Sequence, residues 1–509
     1  MRLFSIASTA LSVLFFFQTH PALAAPAAVD NSLYVTNGEP LTLGYSTSSP
    51  DPKNWVGLYP LGGGPVNGVK PSENSLVWNY TPDSKGTIHL DVGNLVPGNY
   101  LAYFLARDGY QSIVKPITVT VKSTLPFAFI VDSITLRTAR VGSSYNAKIG
   151  GLVNGGTGVT FAITSQVDGW SDWINLSSDG VFSGFPVPGF GRTEATYTVT
   201  ARSSDGATAN LKVTIPVQNI GVPLLSQLRV LTFNMWNGGA NVRDSHNKQV
   251  RFIANINADV VGLQEADSSA KPLADALGWT YWQRISDIAI ISKYPIVQDY
   301  GVANAGGGVR IALDGESQQI NFWDLHLGYD PYGPYDFCDS KMSIDAVLKR
   351  EAQSGRTQQI TDILKAMSGQ LTDSATSKIP VFLVGDTNAP SHLDWVESLR
   401  AKNCGYSGVP WPTSVKPAQA GLIDSFRVAH PDPAAVQGTT WSPLCPNDEC
   451  RPGTKEPQDR IDFIYHKGNV KVLDSQVVVV GKPKPKGDPQ QPNNEWTTDH
   501  ATVLTVYQI

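Results

Sequence analysis

Between residues 30 and 122, apolar and polar residues alternate in short runs that Gly, Pro, Asn and Asp interrupt. Successive side chains of a strand point to opposite faces, so this alternation fits sheets with one wet and one buried face. Leu33-Tyr34-Val35, Thr87-Ile88-His89-Leu90, Tyr100 to Phe104 and Ile117 to Val121 are the clearest strands, and they predict an antiparallel β-sandwich. Ser123-Thr124-Leu125-Pro126 reads as a linker, and a second all-β unit follows, with strands at Tyr197 to Ala201 and Ala209 to Ile215. After Ile220-Gly221-Val222-Pro223, buried strands alternate with amphipathic stretches. Val250, Ile253 and Ile256 have helical spacing, and a second helix is expected over 357–367. Apolar strands are expected at Arg229 to Asn234, Val260 to Gln264, Ile288 to Ile291, Gln319 to His326, Val381 to Asp386, Ile461 to Tyr465 and Ala501 to Val506. The pattern therefore predicts a multidomain chain: β-sandwiches over 25–122 and 123–220, then an α/β domain over 227–509.

The first residues change the picture. Met1-Arg2, an apolar run to Phe17 and Ala22-Leu23-Ala24 form a basic start, a short apolar core and a small-x-small cleavage site, so residues 1–24 read as a secretory signal peptide. No later run is long enough for a transmembrane helix, and a secreted protein is expected. Cys338, Cys404, Cys445 and Cys450 are the only cysteines; an even number in an exported chain suggests two disulfides, and we expect Cys445 with Cys450 and Cys338 with Cys404. Asn79-Tyr80-Thr81 and Asn175-Leu176-Ser177 match the glycosylation acceptor triplet, which marks surface loops if the source is eukaryotic and also occurs by chance. A net charge of −5 argues against a protein that gathers polyanions through its overall field.

Several apolar strands end in residues that bind metal or phosphate. Asn234, Glu265, His326, Asp386 with Asn388, and Asp462 end or closely follow such runs, and Asp499-His500 precedes the last. Strand ends converge on one rim in layered α/β folds, so these side chains can meet. In order, Thr232-Phe233-Asn234-Met235-Trp236, Leu263-Gln264-Glu265, Asp324-Leu325-His326-Leu327, Gly385-Asp386-Thr387-Asn388, Arg460-Ile461-Asp462-Phe463-Ile464 and Thr498-Asp499-His500-Ala501 resemble the signature segments of the endonuclease/exonuclease/phosphatase superfamily. The resemblance covers 227–509 and implies a four-layer fold, two mixed sheets flanked by helices. Asn54-Trp55-Val56-Gly57-Leu58-Tyr59-Pro60 with Pro97-Gly98-Asn99-Tyr100 resembles small β-sandwich domains that accompany some phosphatases, and the second unit resembles cadherin-like, immunoglobulin-like modules.

The resemblance implies hydrolysis of phosphodiesters or phosphomonoesters by water assisted by Mg²⁺, with Mn²⁺ also suited to hard oxygen donors. Glu265 stands as the principal metal carboxylate, with Asn234 beside it and Asp499 as a second or water-mediated ligand. Asp386 would orient or deprotonate water, Asn388 would hold a phosphate oxygen, Asp462 and His500 would form a carboxylate–imidazole pair, and His326 would contact phosphate. Asp424 and Trp441 read as structural supports of the rim, and His246, His392, His430 and His466 as ordinary core or surface residues. Gly306-Gly307-Gly308 is not followed by Lys-Ser/Thr, and no Gly-x-Ser-x-Gly elbow occurs.

Substrate choice is expected in rim loops, and three stand out: Gly328 to Cys338 with its aromatics, Cys404 to Ala420 around Trp411, and Lys482-Pro483-Lys484-Pro485-Lys486; a disulfide-stapled loop packed on itself and a solvated lysine loop are the alternative readings. The partner expected is a phosphoester, with an extracellular surface or glycan against the sandwiches. Two alternatives stay open on the sequence. One is a secreted nuclease, the other a non-catalytic adhesion protein whose hydrolase domain is vestigial.

Overall fold

The strands expected from alternation pair into seven sheets in the computed structural model, which describes residues 30–38, 41–71, 74–92, 95, 98–121, 126–166, 171–189, 191–373 and 379–509. The leader expected over 1–24, Pro97 of the first motif and the linker residues Ser123 to Leu125 lie outside these.

In the first unit, Ser32–Gly38, Leu41–Ser46 and Lys85–His89 form one antiparallel sheet, and Val77–Tyr80, Trp55–Pro60, Gly98–Leu105 and Ile117–Val121 form another. Leu43 and Tyr45 of the first share a buried cluster with Val56, Leu58 and Phe104 of the second. In the second unit the long strand Thr208–Gln218 pairs with Glu194–Arg202 on one side and with Ser133–Thr135 and Ala139–Arg140 on the other. Its core residues Phe182, Val199, Val213 and Ile215 belong to a cluster that continues without interruption into Val250, Ile253, Leu273 and Leu277 of the α/β region. Polar ties reinforce that contact: Arg140 Nη1 donates to Asp314 Oδ1 at 2.9 Å, and Arg251 Nε to Ile130 O at 3.2 Å. The backbones also meet closely, since a Cβ on Gly151 would lie 2.6 Å from Ala276 Cα.

The α/β region holds two six-stranded mixed sheets. One runs in the order Thr280–Trp282, Ile288–Ser292, Val260–Gln264, Gln227–Asn234, Thr502–Gln508, Lys471–Val478; the other runs Ile296–Ala303, Gly306–Asp314, Gln318–His326, Val381–Asp386, Asp462–Lys467, Ile423–Asp424. Val230, Val260 and Ile290 of the first face Ile311, Phe322, Phe382 and Val384 of the second in a buried seam. Helices Ser245–Asn255 and Ala270–Leu277 cover the outside of the first sheet, and Arg356–Asp373 packs Ile360, Ile363 and Met367 on the outside of the second. Both helices run beyond the expected ranges: the first begins with polar Ser245-His246-Asn247, and the second continues past Met367 with Leu371 extending its apolar face.

Five strands of this region escaped the pattern: Thr280–Trp282, Ile296–Ala303, Gly306–Asp314, Ile423–Asp424 and Lys471–Val478. Gly307 and Gly308 leave room for the rings of Trp282 and Trp323, which lie where their side chains would be. The disulfides are Cys338–Cys404 and Cys445–Cys450. Among the described residues no helix is long and apolar enough to cross a membrane.

Candidate active site

The two sheets bring their charged strand ends to one rim. Asn234 and Asp386 are the last residues of parallel-running inner strands of opposite sheets, His326 ends the neighbour of Asp386, and Asp462 opens the strand that pairs antiparallel with it, directly across from Asp386. Glu265 follows Val260–Gln264 with φ of 51°, and Asn388 has φ of 49°. Left-handed backbone at non-glycine residues is strained and persists where packing over-determines it, here turning both side chains back over the rim.

The Asn234 amide donates to Glu265 Oε1 at 3.2 Å and to Asp386 Oδ2 at 3.1 Å, while its oxygen accepts the Trp236 N–H at 3.0 Å. The Asn237 N–H donates to Glu265 Oε2 at 2.8 Å. Asp386 is fully buried; its Oδ1 accepts the Asn388 N–H at 2.7 Å, and its Oδ2 lies 3.7 Å from Nε2 of both His326 and His500. Burial and the Asp462 carboxylate push Asp386 up to about 6, against the pull of the two imidazoles.

His500 Nδ1 donates to Asp462 Oδ2 at 3.0 Å, and the Trp441 ring lies beside the imidazole with centroids 4.8 Å apart. Burial opposes charge on His500, yet Asp462, Asp386 and Asp499 outweigh it and raise the group to about 10. Asp499 is pushed up to about 6 by burial, helped by Glu265 and offset by His500 and Lys486. Its Oδ1, like Oδ1 of Asp462, is buried without a hydrogen-bond partner.

His326 carries a residue that the sequence reading missed. Its Nδ1 donates to both oxygens of Asp287, at 2.9 and 3.0 Å, and its Nε2 faces the Asn388 amide nitrogen at 3.0 Å. In that arrangement Nε2 accepts and the ring is neutral; protonation at Nε2 requires Asn388 to turn its oxygen toward it. Burial disfavours the imidazolium, but Asp287, Asp386 and Glu265 prevail and raise His326 to about 9. Asp287 precedes Ile288–Ser292, so an acid just before an apolar strand was the available signal.

All eight expected site residues thus converge. Asn234 joins two of the acids through its amide. The ligand atoms of Asp386, Asp462 and His500 lie within 4.8 Å of one another, a spacing that could hold a metal ion.

The flanking loops divide between packed and exposed aromatics. Trp411 is fully buried against Phe337 and Trp395, so it supports the 404–420 loop and is not free to meet substrate. Tyr332 and Tyr335 are tied down through Asp459 and Glu456, whereas Tyr329 is exposed. Lys486 lies near enough to Asp499 to lower its carboxyl. Asp424 accepts the N–H groups of Phe426 and Arg427 and pairs with buried Arg460, and Trp441 donates to Glu456.

The sequence pattern of the Endonuclease/Exonuclease/phosphatase family matches residues 231–500, more than half of the chain. The chain belongs to the endonuclease/exonuclease/phosphatase family. Members of this family are phosphoester hydrolases and generally use divalent metal ions. The uncharacterized protein F14F9.5 of Caenorhabditis elegans is 34% identical over 291 residues, 55% of this chain and 91% of that protein. Truncated Caenorhabditis elegans TDP2 is similar at 16% identity over 56% of this chain and 98% of its own, with a TM-score of 0.37. The human Nocturnin catalytic domain with bound sulfate is similar at 14% identity over 56% and 96%, also with a TM-score of 0.37.

Proposed function

We propose that this protein is a secreted phosphoester hydrolase in which a divalent cation, Mg²⁺ or Mn²⁺, assists attack of water on phosphorus. In this reading the catalytic domain spans 227–509 and follows a leader over 1–24 and two β-sandwich modules over 25–122 and 123–220, the second immunoglobulin-like. Two disulfides agree with export. The observation that carries the reading is the surroundings of Asp386: a buried carboxylate bonded by Asn234, opposite Asp462, and within 3.7 Å of two imidazoles.

The donor chemistry fits a hard cation. Glu265 and Asp499 offer carboxylate oxygens, one of them buried and unpartnered, and Asn234 adds an amide oxygen with a second lone pair. An all-oxygen set suits Mg²⁺ better than the Asp386–Asp462–His500 group, whose imidazole nitrogen suits a softer cation such as Zn²⁺. When bound, the cation neutralises phosphate charge and stabilises the leaving oxygen.

The chain's own groups supply the rest. Asp386 accepts a proton from water as the water oxygen bonds to phosphorus and the bond to the leaving oxygen breaks. Asn388 donates to a phosphate oxygen without adding charge. His500, fixed by Asp462 and Trp441, places positive charge beside the developing anion. His326, oriented by Asp287, hands a proton to the departing oxygen.

The test is the initial rate of hydrolysis of a chromogenic phosphodiester and its matching monoester, with Mg²⁺, with chelator, and with Asp386→Ala. The expected result is chelator-sensitive turnover of one ester that falls about 10²–10⁴-fold in the variant. Turnover indifferent to chelator and variant would overturn this mechanism, and no turnover of either ester would overturn the reading and favour the adhesion protein.

A further inference from the structure

The sheet around Trp55–Pro60 in the first β-rich unit buries Val56 and Leu58 on one face and carries an aromatic array on the other. Trp78 pairs across from Gly57, and the absent side chain there lets the Trp55 ring lie across the sheet; a Cβ at position 57 would be 2.6 Å from Trp55 Cζ3. Trp78 and Tyr110 stand edge-on to Trp55 with centroids 6.1 Å away in each case, and Tyr80 stands edge-on to Trp78 at 5.1 Å.

The loop after Pro60 lies over the same face: Tyr103 Oη donates to Gly63 O at 3.2 Å, and Gly68 bridges to Tyr110. Its tip is Val66-Asn67-Gly68-Val69, where the central residues have φ of 51° and 78° and the Val69 N–H donates to Val66 O at 3.0 Å. Two successive left-handed residues define the type I′ turn, which Asn-Gly favours, so the two valines are held out on a stiff tip.

The Gly68–Tyr110 bridge and the Tyr110, Trp55, Trp78 and Tyr80 ring contacts join the tip to these rings; Val66 is exposed by 67%, Val69 by 66%, Trp78 by 51% and Tyr80 by 43%, and Leu61, which opens the loop, by 59%. Single exposed apolar residues are ordinary, but a contiguous set marks an interaction surface. The neighbouring charges cancel: Lys53 Nζ lies 2.7 Å from Asp108 Oδ2 and Arg107 Nε lies 3.2 Å from Asp51 Oδ2, while Tyr80 Oη donates to Asp108 at 2.8 Å. These paired groups offer no field to attract a polyanion. A sugar would stack on Trp78 and Tyr80 but gain little from three exposed aliphatic side chains. A bilayer interface takes both kinds of group, aliphatic side chains at the acyl boundary and Trp and Tyr at headgroup level.

We propose that this face docks the protein on an electrically neutral, phosphocholine-type lipid surface, the Val66–Val69 turn entering the interface and Trp78 and Tyr80 lying at headgroup depth. The inference stands apart from the hydrolase reading, because it uses none of the residues of the cleft.

The full chain is sedimented with phosphatidylcholine vesicles, and with vesicles containing phosphatidylserine, at low and high salt. The expected result is binding to neutral vesicles that salt does not abolish, with a blue shift of tryptophan emission that Trp78→Ala reduces. The double variant Val66→Asp/Val69→Asp should bind at least about tenfold more weakly while its thermal unfolding is unchanged. Val297→Asp, at an exposed position on Ile296–Ala303, should bind as the wild type. No binding to neutral vesicles, equal binding by the double variant, binding that needs anionic lipid and vanishes in salt, or displacement by a soluble polysaccharide would each overturn it. A wild-type chain inactive on both esters yet bound to vesicles would refute the hydrolase reading and leave this one standing.

Discussion

Asp287 shows what a side chain without a motif can control. Its carboxylate accepts from His326 Nδ1, which fixes the ring and helps to raise it above its ordinary 6.5 to about 9. A raised histidine is protonated below its folded value and loses the proton as pH rises through it, so a reaction that needs the imidazolium should decline through about pH 9. Asp287→Asn removes the charge while keeping a hydrogen-bond acceptor, and its kcat/KM profile should lose activity on the alkaline side at lower pH than the wild type. An unchanged alkaline limb would mean that His326 is not the acid. Asn234, Glu265 and Asp386 could be read because each closes an apolar run and belongs to an ordered signature. Asp287 could not, since a lone acid before Ile288 looks like any polar residue outside a strand.

At the scale of elements, alternation and apolar runs located the strands that end at the cleft, because those strands are buried on both faces. The strand Gly306–Asp314 stayed hidden because its first three residues have no side chains, and Ile363 and the rings of Trp282 and Trp323 fill that space. Gly385, directly before Asp386, has φ of 137°, and a Cβ there would collide with the Leu325 backbone. Gly385→Ala should therefore lower stability by about 1–3 kcal/mol, as overpacking of a core does, and shift Asp386 enough to cut turnover. Urea unfolding together with initial rates would detect both effects. The Cys338–Cys404 disulfide spans 66 residues, and chain entropy assigns such a loop about 4 kcal/mol of stabilisation as an upper figure. Paired Cys→Ser replacement should lower the unfolding midpoint markedly, and a midpoint that stays put would show that the 339–403 segment is held by its own packing.

For the whole molecule, the sequence separated the second β-rich unit from the α/β region, and nothing in the alternation of its strands reveals what its faces touch. In the structure its core is continuous with helices Ser245–Asn255 and Ala270–Leu277, and Arg140 reaches across to Asp314. A chain starting near residue 220 should expose that helix surface and aggregate or unfold early, whereas one starting near 126 should keep the wild-type unfolding midpoint; light scattering during a thermal ramp distinguishes them. The connection between these units runs through exposed Ile220 and Val222, while the contact it bridges is a continuous apolar cluster tied by Arg140 and Arg251. A protease that cuts this connection would therefore sever the chain without parting the pieces. The nicked protein should leave a sizing column as one species, hydrolyse ester as before, and reveal its two fragments only in detergent.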